Sequence, residues 1–179
     1  MHKKLVIFFL IIGCQEFNIP KQKGYLAHKF DVPNYKFFSN NCYGFNINSN
    51  SETNLYSPCN ASISYKLLKA DLFISNIKIN DNIELIKSDF EKKISDNSRN
   101  IFEINASEFN NQRNKVFGIY YTFIGNAPSN IHFYITDSIS NFTTGSLYFK
   151  TKPNYDSLLP SISYVKNDIK KIFETFQWK

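Results

Sequence analysis

The chain is short of the features that define most enzyme and membrane-protein classes. No apolar run exceeds the eight residues of LVIFFLII (residues 5–12), whereas a helix crossing a bilayer takes about 20. With only six glycines the sequence has no phosphate-cradling loop, and it contains neither a Gly-x-Ser-x-Gly elbow nor a His-Glu-x-x-His zinc motif. There are three histidines, one methionine, one tryptophan and three cysteines. Cysteine and histidine do not adjoin at metal-ligand spacing, so a metal or other cofactor is not expected. Charge of one sign does not accumulate either. The formal net charge is +6, but no four basic residues run together. Scattered lysines describe a solvated surface better than a nucleic-acid groove.

What is present begins at the N-terminus. The apolar run follows a basic start, His2-Lys3-Lys4, and ends at Gly13-Cys14. Its length suits the core of an export signal and not a membrane span. Ile11-Ile12-Gly13-Cys14 has the form of a bacterial lipobox: branched apolar residues, a small residue before the cut, then the cysteine whose thiol takes diacylglycerol. An ordinary secretory signal with a chance cysteine is the alternative. Lipidation at Cys14 would give residues 1–13 as signal peptide and a chain moored by two or three acyl groups, enough for a stable anchor. Gln15 is not the aspartate associated with inner-membrane retention, which favours the outer membrane, and the single Glu16 favours its periplasmic side.

Cys42 and Cys59 remain. Outside the cytosol such a pair usually closes into a disulfide, with two free thiols or a metal pair as alternatives. Residues 14–40 read as a tether passing into an irregular, partly docked lead-in, and residues 41–179 as one globular domain. Tyr43, Phe45 and Ile47 alternate with Gly44, Asn46 and Asn48 as in a half-buried strand. Residues 49–54 read as a turn, with short strands at 61–65 and 70–75. Ile83, Ile86, Phe90 and Ile94 then share a helical face, predicting a helix over 82–97 capped by Asp81. Weak alternation over 101–109 and strong strand signals at 115–124, 131–136 and 142–150 follow, the last three as an antiparallel meander. Leu158, Ile162, Val165, Ile169, Ile172 and Phe176 form one helical stripe. Asp156 or Ser157 would cap this helix, Pro160 would fall in its first turn, and Trp178 would lie near its end. This element order predicts an α+β sandwich, an antiparallel sheet with packed helices.

The chemical candidates are thin. His132 stands between Ile131 and Phe133 in a strand and reads as solvent-facing or structurally satisfied. Asp137, Asp156 and Asp168 include a conceivable carboxylate pair, but turn, cap and solvated helix face explain them better. The aromatic residues of the 116–149 region read as core and sheet face before base-stacking platforms. The connection GSLYFKTKPNYDSLLP (145–160) places Lys150, Lys152, Asn154, Tyr155 and Asp156 between strand and helix, a candidate partner-binding loop. Asp137-Ser138-Ile139 and Asp156-Ser157-Leu158 have the form of an O-glycan acceptor.

Three stretches carry a resemblance: PKQKGYLAHKF (20–30), VFGIYYTFIGNAPSNIHFYITDSISNFTTGSLYF (116–149) and KPNYDSLLPSISYVKNDIKKIFETFQWK (152–179). Together they resemble the gliding-motility lipoprotein family GldD, densest from Val116 onward and weakest over 49–110. The resemblance implies lipidation at a cysteine placed like Cys14, cysteines at the positions of Cys42 and Cys59, and a non-enzymatic envelope component. It also implies other gliding-motility and type IX secretion proteins as partners. A small-ligand or peptidoglycan-binding module is the alternative. The strand order is also similar to the Mog1/PsbP-type sandwich, an analogy of fold alone.

Overall fold

The structure is a computed structural model and describes residues 30–179 apart from Asn100. Cys14, the signal segment and the first part of the tether lie outside the described residues. Among the described residues, ten strands form two antiparallel sheets, and two α-helices accompany them. The first is three-stranded. Its central strand β2 (Tyr43–Asn48) pairs with β1 (Tyr35–Ser39) on one side and with β10 (Gln177–Trp178) on the other. The second is seven-stranded and runs β3 (Glu52–Ser57), β4 (Asn60–Tyr65), β5 (Ala70–Lys78), β9 (Asn141–Phe149), β8 (Ser129–Thr136), β7 (Val116–Gly125), β6 (Ile101–Asn111). Helix α1 (Ile83–Asn97) follows β5, and α2 (Tyr155–Thr175) follows β9. The architecture is the α+β sandwich that the element order predicts.

Side-chain alternation divides the large sheet into two working faces. One carries Ile63, Leu72, Ile131, Phe133, Ile135 and Leu147, which share a core with α2 and with Tyr43, Phe45 and Ile47 of β2. The other carries Phe123 and Phe142, covered by Ile86, Phe90 and Ile94 of α1. Burying the aliphatic and aromatic stripe of α2 contributes on the order of 10 kcal/mol before chain entropy is subtracted. On the α2 face, the Phe133 ring crosses Gly145 so closely that a Cβ there has no room.

Several expectations need correction. The lead-in contributes a strand: β1 lies at residues 35–39 with mostly exposed side chains, so it lacks the alternation that marks a half-buried strand. The turn read over 49–54 instead opens β3, an edge strand whose polar, solvent-facing sequence hides its pairing with β4. β2 is buried nearly throughout as the central strand of its sheet, with Tyr43, Phe45 and Ile47 in the α2 core and Phe37 closing over Gly44, where a Cβ would meet the ring at 2.6 Å. Asp81 takes a left-handed turn conformation (φ 56°), and Asn82 stands at the cap position of α1. α2 starts at Tyr155 and not after Asp156 or Ser157, which moves Pro160 out of the first turn. Asn154 is the cap, its side chain accepting from the Ser157 N–H at 3.4 Å. Phe176 leaves the helix with extended backbone (φ −63°, ψ 135°), so that Gln177 and Trp178 add a strand to β2.

Cys42 and Cys59 are joined, with Cα atoms 5.4 Å apart. The bridge ties the start of β2 to the β3–β4 turn, and therefore one sheet to the other. Two hydrogen bonds reinforce the joint: Asn41 N–H to the Pro58 carbonyl (3.1 Å) and the Tyr43 hydroxyl to the Cys59 carbonyl (3.1 Å). Closing a loop of sequence separation 17 stabilises by about 3 kcal/mol in the chain-entropy account. The double variant Cys42→Ser, Cys59→Ser should lose about that much in urea unfolding; an unchanged midpoint would show that the bridge adds nothing to stability.

Candidate functional site

A concave feature lies where the two sheets and α2 meet. A cavity of about 220 Å³ is lined by side chains of β2 (Asn48), β4 (Tyr65), the short 3₁₀ turn at Lys66–Leu68 and α2 (Tyr164), with Phe30 and Asp31 at its mouth. Phe30 stacks on Tyr164 with ring centroids 4.9 Å apart. Behind Asn48 and Tyr65 sits Asp168, a carboxylate only 1 % exposed. The Tyr35 hydroxyl donates to it at 2.9 Å and the Asn48 amide at 3.0 Å; the Tyr65 hydroxyl bonds it as well. Asn48 also donates to the Tyr164 hydroxyl at 2.8 Å. Burial raises the Asp168 pKa, and the hydrogen bonds from Asn48, Tyr35 and Tyr65 oppose that rise. Those tyrosines are in turn pushed well above the usual phenol range, by burial first and by the neighbouring carboxylate second.

Asp168 is therefore not on a solvated helix face. Its spacing shows why: it stands three residues after Val165 and four before Ile172, within the apolar stripe. That spacing was the available signal for the site. Asn48, Tyr65 and Tyr164 had none, because each is an ordinary strand or helix residue until the fold brings them together.

The strand-to-helix connection is built differently. Lys150 pairs with Asp71 of β5 at 2.8 Å, and its N–H donates to the Lys69 carbonyl at 2.7 Å. Asn154 caps α2, and the Tyr155 N–H donates to the Asn126 side chain at 2.8 Å. Asp156 is exposed in the first helical turn, where a carboxylate complements the helix dipole. Lys152 is exposed. None of the five lines the cavity. Lys150 does border an aromatic row on the face of the large sheet that bears α1. There Tyr56, Phe73 and Tyr148 follow one another at 6.4 and 6.0 Å, with Tyr56 65 % and Phe73 40 % exposed.

His132 is fully buried on that same face, not turned to solvent, because strand alternation opposite Ile131 and Phe133 points it beneath α1. Its Nδ1 lies 2.9 Å from the Ser146 hydroxyl, which also accepts from Lys93 of α1 at 2.9 Å. Among the described residues Nε2 has no partner at full hydrogen-bond geometry, and the Ser129 backbone acts on the ring only weakly. Asp137 organises the β8–β9 turn. Burial works to raise its pKa, but the N–H groups of Asn141, Ile139 and Ser140 and the Asn141 side chain outweigh that and hold the carboxyl below its usual range. It is a turn residue, as the sequence suggests. Ser138, in the same turn, and Ser157, in the first turn of α2, are both exposed.

Fold and site together define a disulfide-closed α+β domain with one polar-floored cavity and one exposed aromatic row. The family model for the gliding motility lipoprotein GldD matches residues 15–178, and the chain belongs to that family. No curated protein matches it. Membership in a lipoprotein family implies a membrane-anchored place in the cell envelope, among the motility machinery. Among the described residues, no helix is long and apolar enough to cross a membrane.

His132 generates a pH prediction. Burial, then the Lys93 charge, lowers its pKa from 6.5 to about 4, with the Ser129 backbone pulling weakly the other way. The unfolded chain therefore binds the proton first as pH falls. The neutral ring's contribution is complete above pH 6.5 and is lost toward pH 4, a change on the order of 3 kcal/mol. Asp168, with its raised pKa, acts in the opposite direction above the ordinary carboxylate range. A His132→Asn variant isolates the histidine. Urea unfolding between pH 4 and 7 should lose most of the wild-type slope in the variant, whereas equal slopes would refute the assignment.

Proposed function

We propose that the chain is cut before Cys14, acylated there, and held at the periplasmic side of the outer membrane by residues 14–40. The single domain of residues 41–179, with β1 of the lead-in paired to its β2, then acts without catalysis, as an assembly or stability partner of other gliding-motility and type IX secretion proteins. The observation that carries this reading is the family match over residues 15–178. It is supported by the lipobox sequence and by the exposed Tyr56–Phe73–Tyr148 row beside Lys150. Aromatic residues left on a surface supply large contact area at little entropic cost, as protein interfaces require. Anchoring confines the domain to a membrane surface and raises its effective concentration for neighbours, so modest contacts suffice. Lys150, Lys152, Asn154, Tyr155 and Asp156 contribute as the rim of that face and of the adjoining helix start. Ser138 and Ser157 are accessible for O-glycosylation.

The small-ligand or peptidoglycan alternative has one observation in its favour, the cavity at Asn48, Tyr65 and Tyr164. It lies away from the connection first suspected.

In cells, the Cys14→Ser variant should leave the detergent-extracted membrane fraction for the soluble one and abolish spreading. Crosslinking from positions 56 and 150 of the wild type should recover motility or secretion components. Wild-type protein that is soluble without detergent, or crosslinks that recover no such component, would overturn the reading.

A further inference from the structure

The cavity at Asn48, Tyr65 and Tyr164 is graded from apolar outside to polar inside. Leu67, 82 % exposed, stands at the mouth with Leu68 and Phe30, whereas Asn48 and Tyr65 are 1 % and 5 % exposed at the inner end. Behind them the Asp168 carboxylate is held by neutral donors alone. Among the described residues no lysine, arginine or histidine forms an ion pair with it. Asp31 adds a second carboxylate, and Tyr65 and Tyr164 bring aromatic rings, whose faces carry the negative side of the ring quadrupole, into the lining. Among the described residues of the lining, Lys66 is the one basic side chain, and it is drawn to Glu52 at 2.6 Å.

Such a lining discriminates among ligands. An anion would meet Asp31 in the lining and the field of Asp168 behind the floor. A wholly apolar group would gain from the leucines but would cover the amide and hydroxyls of the floor. A cation on an apolar stem matches both ends: the stem lies along Leu67, Leu68 and Phe30, and the charge reaches the aromatic faces and the buried carboxylate's field. The volume of about 220 Å³ corresponds to about seven waters, room for a four-carbon stem with its ammonium. The rim favours a protein as the source. Val32, next to Asp31, is 90 % exposed and Leu67 nearly as much, giving an apolar collar for a partner's surface. A zwitterionic lipid headgroup would bring its phosphate against Asp31.

We propose that this cavity is a recognition site for an alkylammonium group, the side chain of a lysine presented by a partner protein. The identity of the donor as a protein rests on the partner reading above; the affinity for the ammonium group does not, and the two can fail separately.

The test uses the full chain in dodecyl maltoside with methyl-labelled leucines observed by NMR. Added n-butylammonium, and a short peptide containing one lysine, should shift the Leu67 and Leu68 methyls saturably. The uncharged n-butanol and the same peptide with norleucine should not. Asp168→Asn should weaken n-butylammonium binding at least tenfold. Should that variant fail to fold, Tyr164→Leu, at the half-exposed wall, should weaken it several-fold. Equal shifts from n-butanol, or undiminished binding in a folded variant, would overturn the ammonium site. Saturable shifts with phosphatidylethanolamine in the micelle and none with the lysine peptide would overturn the protein as donor.

Discussion

One buried carboxylate holds the site together. Asp168 extends from α2 and meets Tyr35 of β1, Asn48 of β2 and Tyr65 of β4. A helix and both sheets therefore converge on one charge. Taking a carboxylate out of water costs several kcal/mol unless donors surround it. The donors come from strands near the start of the fold, far in sequence from the helix that carries Asp168, so the cost is offset only when these elements are docked in one arrangement. An apolar residue at 168 would pack as well against the stripe but would not specify where β1 and β2 sit.

The same two-sided demand shapes the end of α2. The Phe173 ring faces the large sheet, meeting Phe109, Tyr120 and Phe133 at centroid distances of 5.4 to 5.9 Å. Three residues later Phe176 faces the small sheet, stacking on Tyr43 and Phe45 at 5.5 and 5.7 Å. Helix, disulfide and buried carboxylate thus fix one sheet against the other at separate points. The consequence for function is a rigid cavity at that junction. Its inner residues Asn48, Tyr65 and Tyr164 are held by packing and hydrogen bonds before any ligand arrives, which reduces the ordering cost of binding.

Periodicity carried much of this fold. The α2 stripe, the α1 face and the three-strand meander were legible because each buries one side against a common core, and burial writes a period into sequence. β1 and β3 were not legible, because edge strands with exposed side chains pair through backbone that any sequence supplies. The site divides similarly. The cysteine pair was readable as a local feature. Asn48, Tyr65 and Tyr164 were not, since their proximity is a product of tertiary structure. Asp168 is the instructive case. Its position in the stripe was visible, yet a charged residue reads as solvated until donors are found for it. His132 stayed open between a solvent-facing and a structurally satisfied histidine for the complementary reason: strand alternation assigned it a face, but nothing local showed that α1 covers that face.

The claim that Asp168 joins the helix to the small sheet is tested most directly by a double-mutant cycle on Asn48 and Asp168. Urea unfolding would be measured for Asn48→Ala, Asp168→Ala and the combined variant. The two side chains touch at 3.0 Å, and contacting members of one buried network typically couple by about 1–3 kcal/mol. Coupling in that range is the predicted result. Strictly additive losses would contradict it, and would mean that the sheets are held in register by apolar packing and the disulfide alone.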